Sequence, residues 1–231
     1  MDLCGFTQSQ GHGFQFENII KCQVFGLSPE KNNTCKYDIS CTDNIWNNNE
    51  CISIKSTKYT KSSAICCGDI LRFYEYDLTK QNTIIVVCYK QDNYQNKSIK
   101  EIYEINYNKE FHKLLFGNIT KPELIKYVEF IKNIPKGRVP VRIKNDYKNI
   151  KKHLQTSYNM KITINPKVDS KNQRRVQCSI PNFTNLLEHN PCFIKSYSKS
   201  PILRGITITS LIYSGIRKRV TRSDTKYSYG D

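Results

Sequence analysis

Alanine is almost missing from this chain: Ala64 is the only one in 231 residues. Asn, Ile, Lys and Tyr are abundant instead, a composition that points to an AT-rich genome and assigns part of the lysine content to coding bias. Histidine is also scarce, with His12, His112, His153 and His189 spread along the chain. The ten cysteines contain no CxxC pair, so a zinc site lacks its usual donor spacing. A chain this long and this rich in core residues does not need a disulfide scaffold either, and reduced, mostly buried thiols are expected. No apolar run approaches a membrane span, and the first residues show neither a basic n-region nor an apolar h-region. The expected location is therefore intracellular, in cytoplasm, with a virus or an AT-rich genome as the source. The Asn-x-Ser/Thr triplets at Asn32, Asn96, Asn118 and Asn182 are what chance gives in so Asn-rich a sequence. Internal repeats and long linkers are absent as well.

Acidic residues are in deficit: 36 Lys and Arg face 20 Asp and Glu, a formal charge of +16. The excess grows along 136–222, and a polyanion, most commonly nucleic acid, is the partner such a balance suits. The length allows one α/β unit with a substantial core.

Apolar residues at Phe16, Ile19, Ile20 and Val24 have helical spacing, closed by Gly26 and preceded by a glycine-rich turn that places Glu17 at the start of the helix. Two β-type runs flank a loop at 42–49, predicting a hairpin that carries Asp38 on one strand and Lys55 on the next. Residues 62–76 read as a short buried run turning through Gly68 into a helix capped by Asp69. The continuous apolar run in 82–91 suits a central strand, 100–107 alternates like another, and 121–134 reads as a helix with Pro122 at its start. Beyond 135 a basic helix is expected over 146–154, strands over 161–164 and 175–180, and a short helix after Pro181. The basic end, 217–226, is expected to be mobile or moulded onto phosphates.

Asp38, in Tyr-Asp-Ile, and Ser53-Ile-Lys55 follow Gly13-Phe-Gln-Phe-Glu17 in the order helix with glutamate, strand with aspartate, strand with x-Lys. This order resembles the PD-(D/E)xK nuclease superfamily over roughly the first 95 residues. Ser53 stands where that family has an acid, as in type II restriction endonucleases with a Ser-x-Lys variant whose missing carboxylate comes from a following helix; Asp69 lies about there. The resemblance implies a restriction-endonuclease-like α/β core, a mixed central sheet flanked by helices, with a basic C-terminal extension. It implies a catalytic core at 1–135 and a DNA-recognition region at 136–231, packed together as one domain. It also implies a Mg²⁺ ion held by Asp38, Asp69 and Glu17, with Lys55 orienting or deprotonating the attacking water and Ser53 beside it. Glu50, earlier on the same strand, is the fallback carboxylate, and the carbonyl of Ile54 is a further candidate contact.

The turn 167–177 concentrates donors and amides. Asn172, Gln173, Arg174, Arg175 and Gln177 have the chemistry that reads base edges in the major groove, and Lys167 and Lys171 that of phosphate positioning. The expected function is a Mg²⁺-dependent, sequence-specific endonuclease of double-stranded DNA acting as a homodimer or higher homo-oligomer. The alternatives are a structure-selective repair or junction-resolving nuclease, and a DNA-binding protein without activity.

Overall fold

The computed structural model describes residues 8–28, 36–60, 62–92, 96–169 and 172–213. The expected mobile end at 217–226 and the candidate Lys171 lie outside them.

Strand β3 (Gln81–Gln91) is the axis of the molecule, with residues 82–89 all buried. It lies between β1 (Glu50–Lys58), which it pairs in parallel, and β4 (Asn96–Asn106), which it pairs antiparallel. Two antiparallel strands, β7 (Ile194–Ser198) and β10 (Leu211–Tyr213), pair with β4 and complete a mixed five-stranded sheet. A strand covered on both faces must be apolar throughout, which is why the run Ile84 to Cys88 is unbroken. Its alternation divides the core: Ile84, Val86 and Cys88 join one cluster, and Ile85, Val87 and Tyr89 the other. Burying each of these large side chains contributes roughly 1.5–3 kcal/mol.

Helix α1 (Gln8–Phe25) covers one face through Phe16, Ile20, Val24 and Phe25, packed with Ile52 and Ile54 of β1. The opposite face carries α2 (Ile70–Tyr74), α3 (Lys109–Phe116), α4 (Lys121–Lys132), α5 (Val141–Ser157) and α6 (Phe183–Glu188). A second antiparallel sheet of β2 (Ile65–Asp69), β6 (Arg174–Ile180) and β5 (Thr163–Val168) closes that side. Ile164, Val176 and Cys178 share the larger core cluster with Ile65, Phe73 and Phe111, so strands late in the chain pack on elements from its first half. A two-stranded hairpin of β8 (Ile202–Leu203) and β9 (Ile206–Thr207) caps the other side through Leu203.

The structure departs from the sequence-based expectations in several places. Helix α1 begins at Gln8, so Gly11 and Gly13 are helical and Glu17 lies mid-helix instead of in the first turn. The 36–55 stretch forms one strand and not a hairpin: the Asp38 segment contributes a single bridge, Ile39 to Ile52. Helix α5 is longer than 146–154, and α3 was not expected at all. Four of the eight described cysteines, Cys51, Cys67, Cys88 and Cys178, are buried, and all eight are free thiols.

Gly117 ends α3 at φ +61°, and a Cβ there would stand 1.8 Å from the Tyr158 carbonyl oxygen. Only glycine lets the α3 terminus approach the end of α5 this closely.

Candidate active site

The site forms where the Asp38 segment crosses β1. The bridge is held by Ile39 and Ile52 exchanging backbone hydrogen bonds of 3.0 and 2.9 Å, while the Asp38 amide donates to the same Ile52 carbonyl at 2.9 Å. Asp38 is thereby fixed beside the middle of β1, although its own backbone is irregular. Its Oδ2 accepts from the Ile54 amide at 2.5 Å and from Lys55 Nζ at 2.9 Å. Both bonds fall on one oxygen, leaving Oδ1 out of them. The side chains of Asp38 and Lys55 are each 20% exposed, enough to meet a ligand and little enough to hold their geometry.

Lys55 also donates to the Ile54 carbonyl at 3.0 Å, so the candidate metal contact at that carbonyl is occupied by the ammonium. Burial works against the charged lysine, but the Asp38 carboxylate, the nearby Tyr76 and the hydrogen bond to Asp38 outweigh it and raise its pKa. Lys55 therefore holds its proton firmly. It can donate hydrogen bonds and stabilise negative charge, and it is a poor base.

Asp38 and Lys55 line a cavity of about 150 Å³ together with Asp69, Lys36, Arg72, Tyr37, Phe73 and Tyr76. Asp69 is brought there by Gly68, which takes φ +81° at the register shift between β2 and β6. Its Oδ1 caps α2 by accepting from the Arg72 amide at 3.0 Å. The cavity thus combines two carboxylates with three cationic side chains, a lining suited to an anionic ligand accompanied by a cation.

Ser53 does not line the cavity. It is buried and shares a 2.6 Å hydrogen bond with the Tyr76 hydroxyl, whose pKa burial pushes up to about 12. The position that resembles the family's second acid thus orients a neutral phenol. Tyr76, Tyr37, Arg72 and Lys36 escaped the sequence reading because nothing in their spacing distinguishes them from core aromatics and solvated cations.

Glu17 reaches the site electrostatically. Burial and then the charge of Asp38 raise its pKa, while a 2.7 Å ion pair with Lys21 on the same helix opposes the rise. A hard divalent cation needs only one or two protein carboxylates and keeps several waters. Among the described residues, however, no group of three or more His, Cys, Asp and Glu side chains converges closely enough to hold a metal. Of the three expected ligands, Asp38 and Asp69 line the cavity, whereas Glu17 does not and pairs with Lys21.

Glu50, the fallback acid, is committed elsewhere. It is buried at the opposite end of β1 and contacts Arg204 at 2.9 Å, Lys195 at 2.5 Å, Thr83 and Asn44. Burial would raise its pKa, but these partners win and lower it to about 2. Arg204 also pairs with Glu104 at 2.8 Å, closing the cluster.

The base-reading candidates divide. Arg174 is tied down by the Ile134 carbonyl at 2.9 Å and by the carbonyls of Pro135, Asp169 and Gln173. Asn172, at φ +60°, accepts from the Gly137 amide at 2.8 Å. Both help to build the loop junction, Arg174 through its guanidinium donors and Asn172 through its side-chain oxygen. Lys167 and Arg175 are exposed, Gln173 and Gln177 half-buried, and Gln177 lies opposite Asp69 in the β2–β6 register.

Comparison with known protein families, with curated proteins and with solved structures returned no match for this chain.

Proposed function

We propose that the protein is a Mg²⁺-dependent endonuclease that hydrolyses phosphodiester bonds of double-stranded DNA in the Asp38–Lys55 cavity. The observation that carries this reading is the convergence of Asp38, Lys55 and Asp69, from three separate segments, on one cavity that also presents Lys36 and Arg72. Water adds to phosphorus, the bond to the bridging oxygen breaks, and the products are a phosphate monoester and a free hydroxyl. Bound Mg²⁺ would supply Lewis-acid charge to the phosphate and lower the pKa of water. Lys55, firmly protonated, donates to a non-bridging oxygen where charge accumulates and is not the base. Asp38 holds Lys55 in place and offers its second oxygen to the cation. Cleavage of both strands calls for two such sites, hence a homodimer or higher oligomer.

Plasmid digestion with Mg²⁺ tests the reading: discrete products from the wild type, lost in Lys55→Ala, are expected. No cleavage over a broad panel of DNAs would overturn it, and a preference for branched over linear DNA would redirect it to structure-selective repair or junction resolution. A second reading, DNA binding without cleavage, is favoured by the burial of Ser53 against Tyr76 and by the lack of a three-donor metal cluster among the described residues. Salt-sensitive binding unchanged by Asp38→Ala, with no cleavage, would select it.

A further inference from the structure

Helix α5 carries charge that the candidate site does not use. Its inner face buries Tyr147 and Leu154, and Tyr127 donates to the Tyr147 carbonyl at 3.1 Å, so the rotation of the helix is fixed. At 3.6 residues per turn, Lys144, Lys148, Lys151, Lys152 and Gln155 fall within about 100° of arc on one flank. Asp146, the helix's one acid, lies on the other flank. Lys148, Lys151, Lys152, Gln155 and Thr156 line a groove of about 510 Å³.

Like charges at i, i+3 and i+4 repel one another and destabilise a bare helix. Acidic side chains could relieve them, yet none of these lysines forms an ion pair among the described residues. Partial burial of Lys151 disfavours its charge further and lowers its pKa. The cost recurs along the helix, and an external row of anions such as a phosphate backbone would offset it. The β5–β6 turn is a weaker candidate for that task, because Arg174 and Asn172 are engaged by the 134–137 loop.

We infer that the Lys148–Lys151–Lys152 face of α5 is the surface on which the phosphate backbone of double-stranded DNA is seated. The choice of partner rests on the proposed action on DNA, but the cleavage chemistry does not enter.

The test compares two triple variants binding a short mixed-sequence DNA duplex without divalent ions, so that nothing is cut. One replaces Lys148, Lys151 and Lys152 by Gln, which keeps helix propensity. The other replaces the exposed Lys100, Lys113 and Lys199 by Gln and removes the same charge. The slope of log affinity against log salt should fall in magnitude by about 0.9 per lost phosphate contact, about 3 for the α5 triple, and by much less for the control. Equal slopes for the two triples would mean that only net charge matters and would overturn the inference. So would an α5 triple that binds like the wild type. A wild type that binds through α5 but cuts nothing would remove the nuclease reading and keep this surface; a wild type that cuts while the α5 triple binds unchanged would do the reverse.

Discussion

Strand β1 carries a buried acid at one end and a half-buried amine toward the other, and the two ends are built on opposite principles. Glu50 is enclosed: Arg204, Lys195, Thr83 and Asn44 saturate both of its oxygens, and its side chain is 2% exposed. Lys55 faces a single carboxylate at the wall of a cavity, and that carboxylate still has an oxygen outside the pair. The first arrangement leaves no valence for a ligand and fixes the fold. The second is incomplete in a way that a ligand can complete. A shifted pKa does not by itself separate the two, since both groups are shifted; what separates them is whether the partners close around the group.

The largest effect that sharpens this contrast is on activity. Lys55→Ala should reduce cleavage by at least about 10²–10³-fold, the usual consequence of deleting one donor to developing charge. Its melting temperature should move little, because Asp38 keeps the Ile54 amide and partial access to solvent. Cleavage rates and thermal melts on the same preparations check both halves.

Glu50→Ala reverses the pattern. Removing the acid leaves Arg204 and Lys195 facing a cavity, and breaking a buried ion pair from one side costs about 3–5 kcal/mol. Urea denaturation should show that loss, while the activity of the folded fraction persists. If Glu50→Ala folds normally but cannot cut, the assignment of roles along β1 is inverted.

How far these roles could be read from the sequence depends on the range of the interaction. Lys55 and Asp38 were legible because alternation along a strand and a nearby loop bring them together within 17 residues of chain. Asp69 was legible as a cap beside Gly68, a local signal that the structure realises through the Arg72 amide. The fate of Glu50 was not legible, because its guanidinium partner lies 154 residues away. The same holds for Arg174, whose acceptors in the 134–137 loop are about 40 positions earlier. Helix α3 was missed despite a local signature: Asn108 caps it by accepting from the Phe111 amide, and Gly117 ends it. At Ile39 a single bridge stands where the sequence predicts a strand, since β-type residues do not reveal whether a partner continues beside them.

pH offers a milder perturbation of the same two ends. The Glu50 pKa is lowered from 4.5 to about 2, so its contribution to stability is complete above 4.5 and disappears as pH falls through about 2. The linkage corresponds to on the order of 3 kcal/mol. Acid unfolding should therefore lose most of this contribution between those values, and Glu50→Gln should flatten that part of the curve. Lys55, being raised, stays protonated past its ordinary 10.5. The alkaline limb of a cleavage profile should accordingly show no titration near neutrality from this group, and a neutral midpoint abolished by Lys55→Arg would show it acting as the base.

The smallest effect separates two jobs held by one residue. Asp69 caps α2 and also faces the cavity, so Asp69→Ala would lose both at once, with about 1 kcal/mol from the cap alone. Serine caps a helix about as well as aspartate but carries no charge, so Asp69→Ser should melt within a few tenths of a kcal/mol of the wild type. If the carboxylate helps to hold the cation, Asp69→Ser should lower cleavage about tenfold at limiting Mg²⁺, and raising Mg²⁺ should recover most of it, since weakened binding is restored by mass action. Unchanged cleavage in a normally folded Asp69→Ser would make this residue a cap and nothing more. Of the acids that line the cavity, Asp38 would then be left to hold the proposed cation.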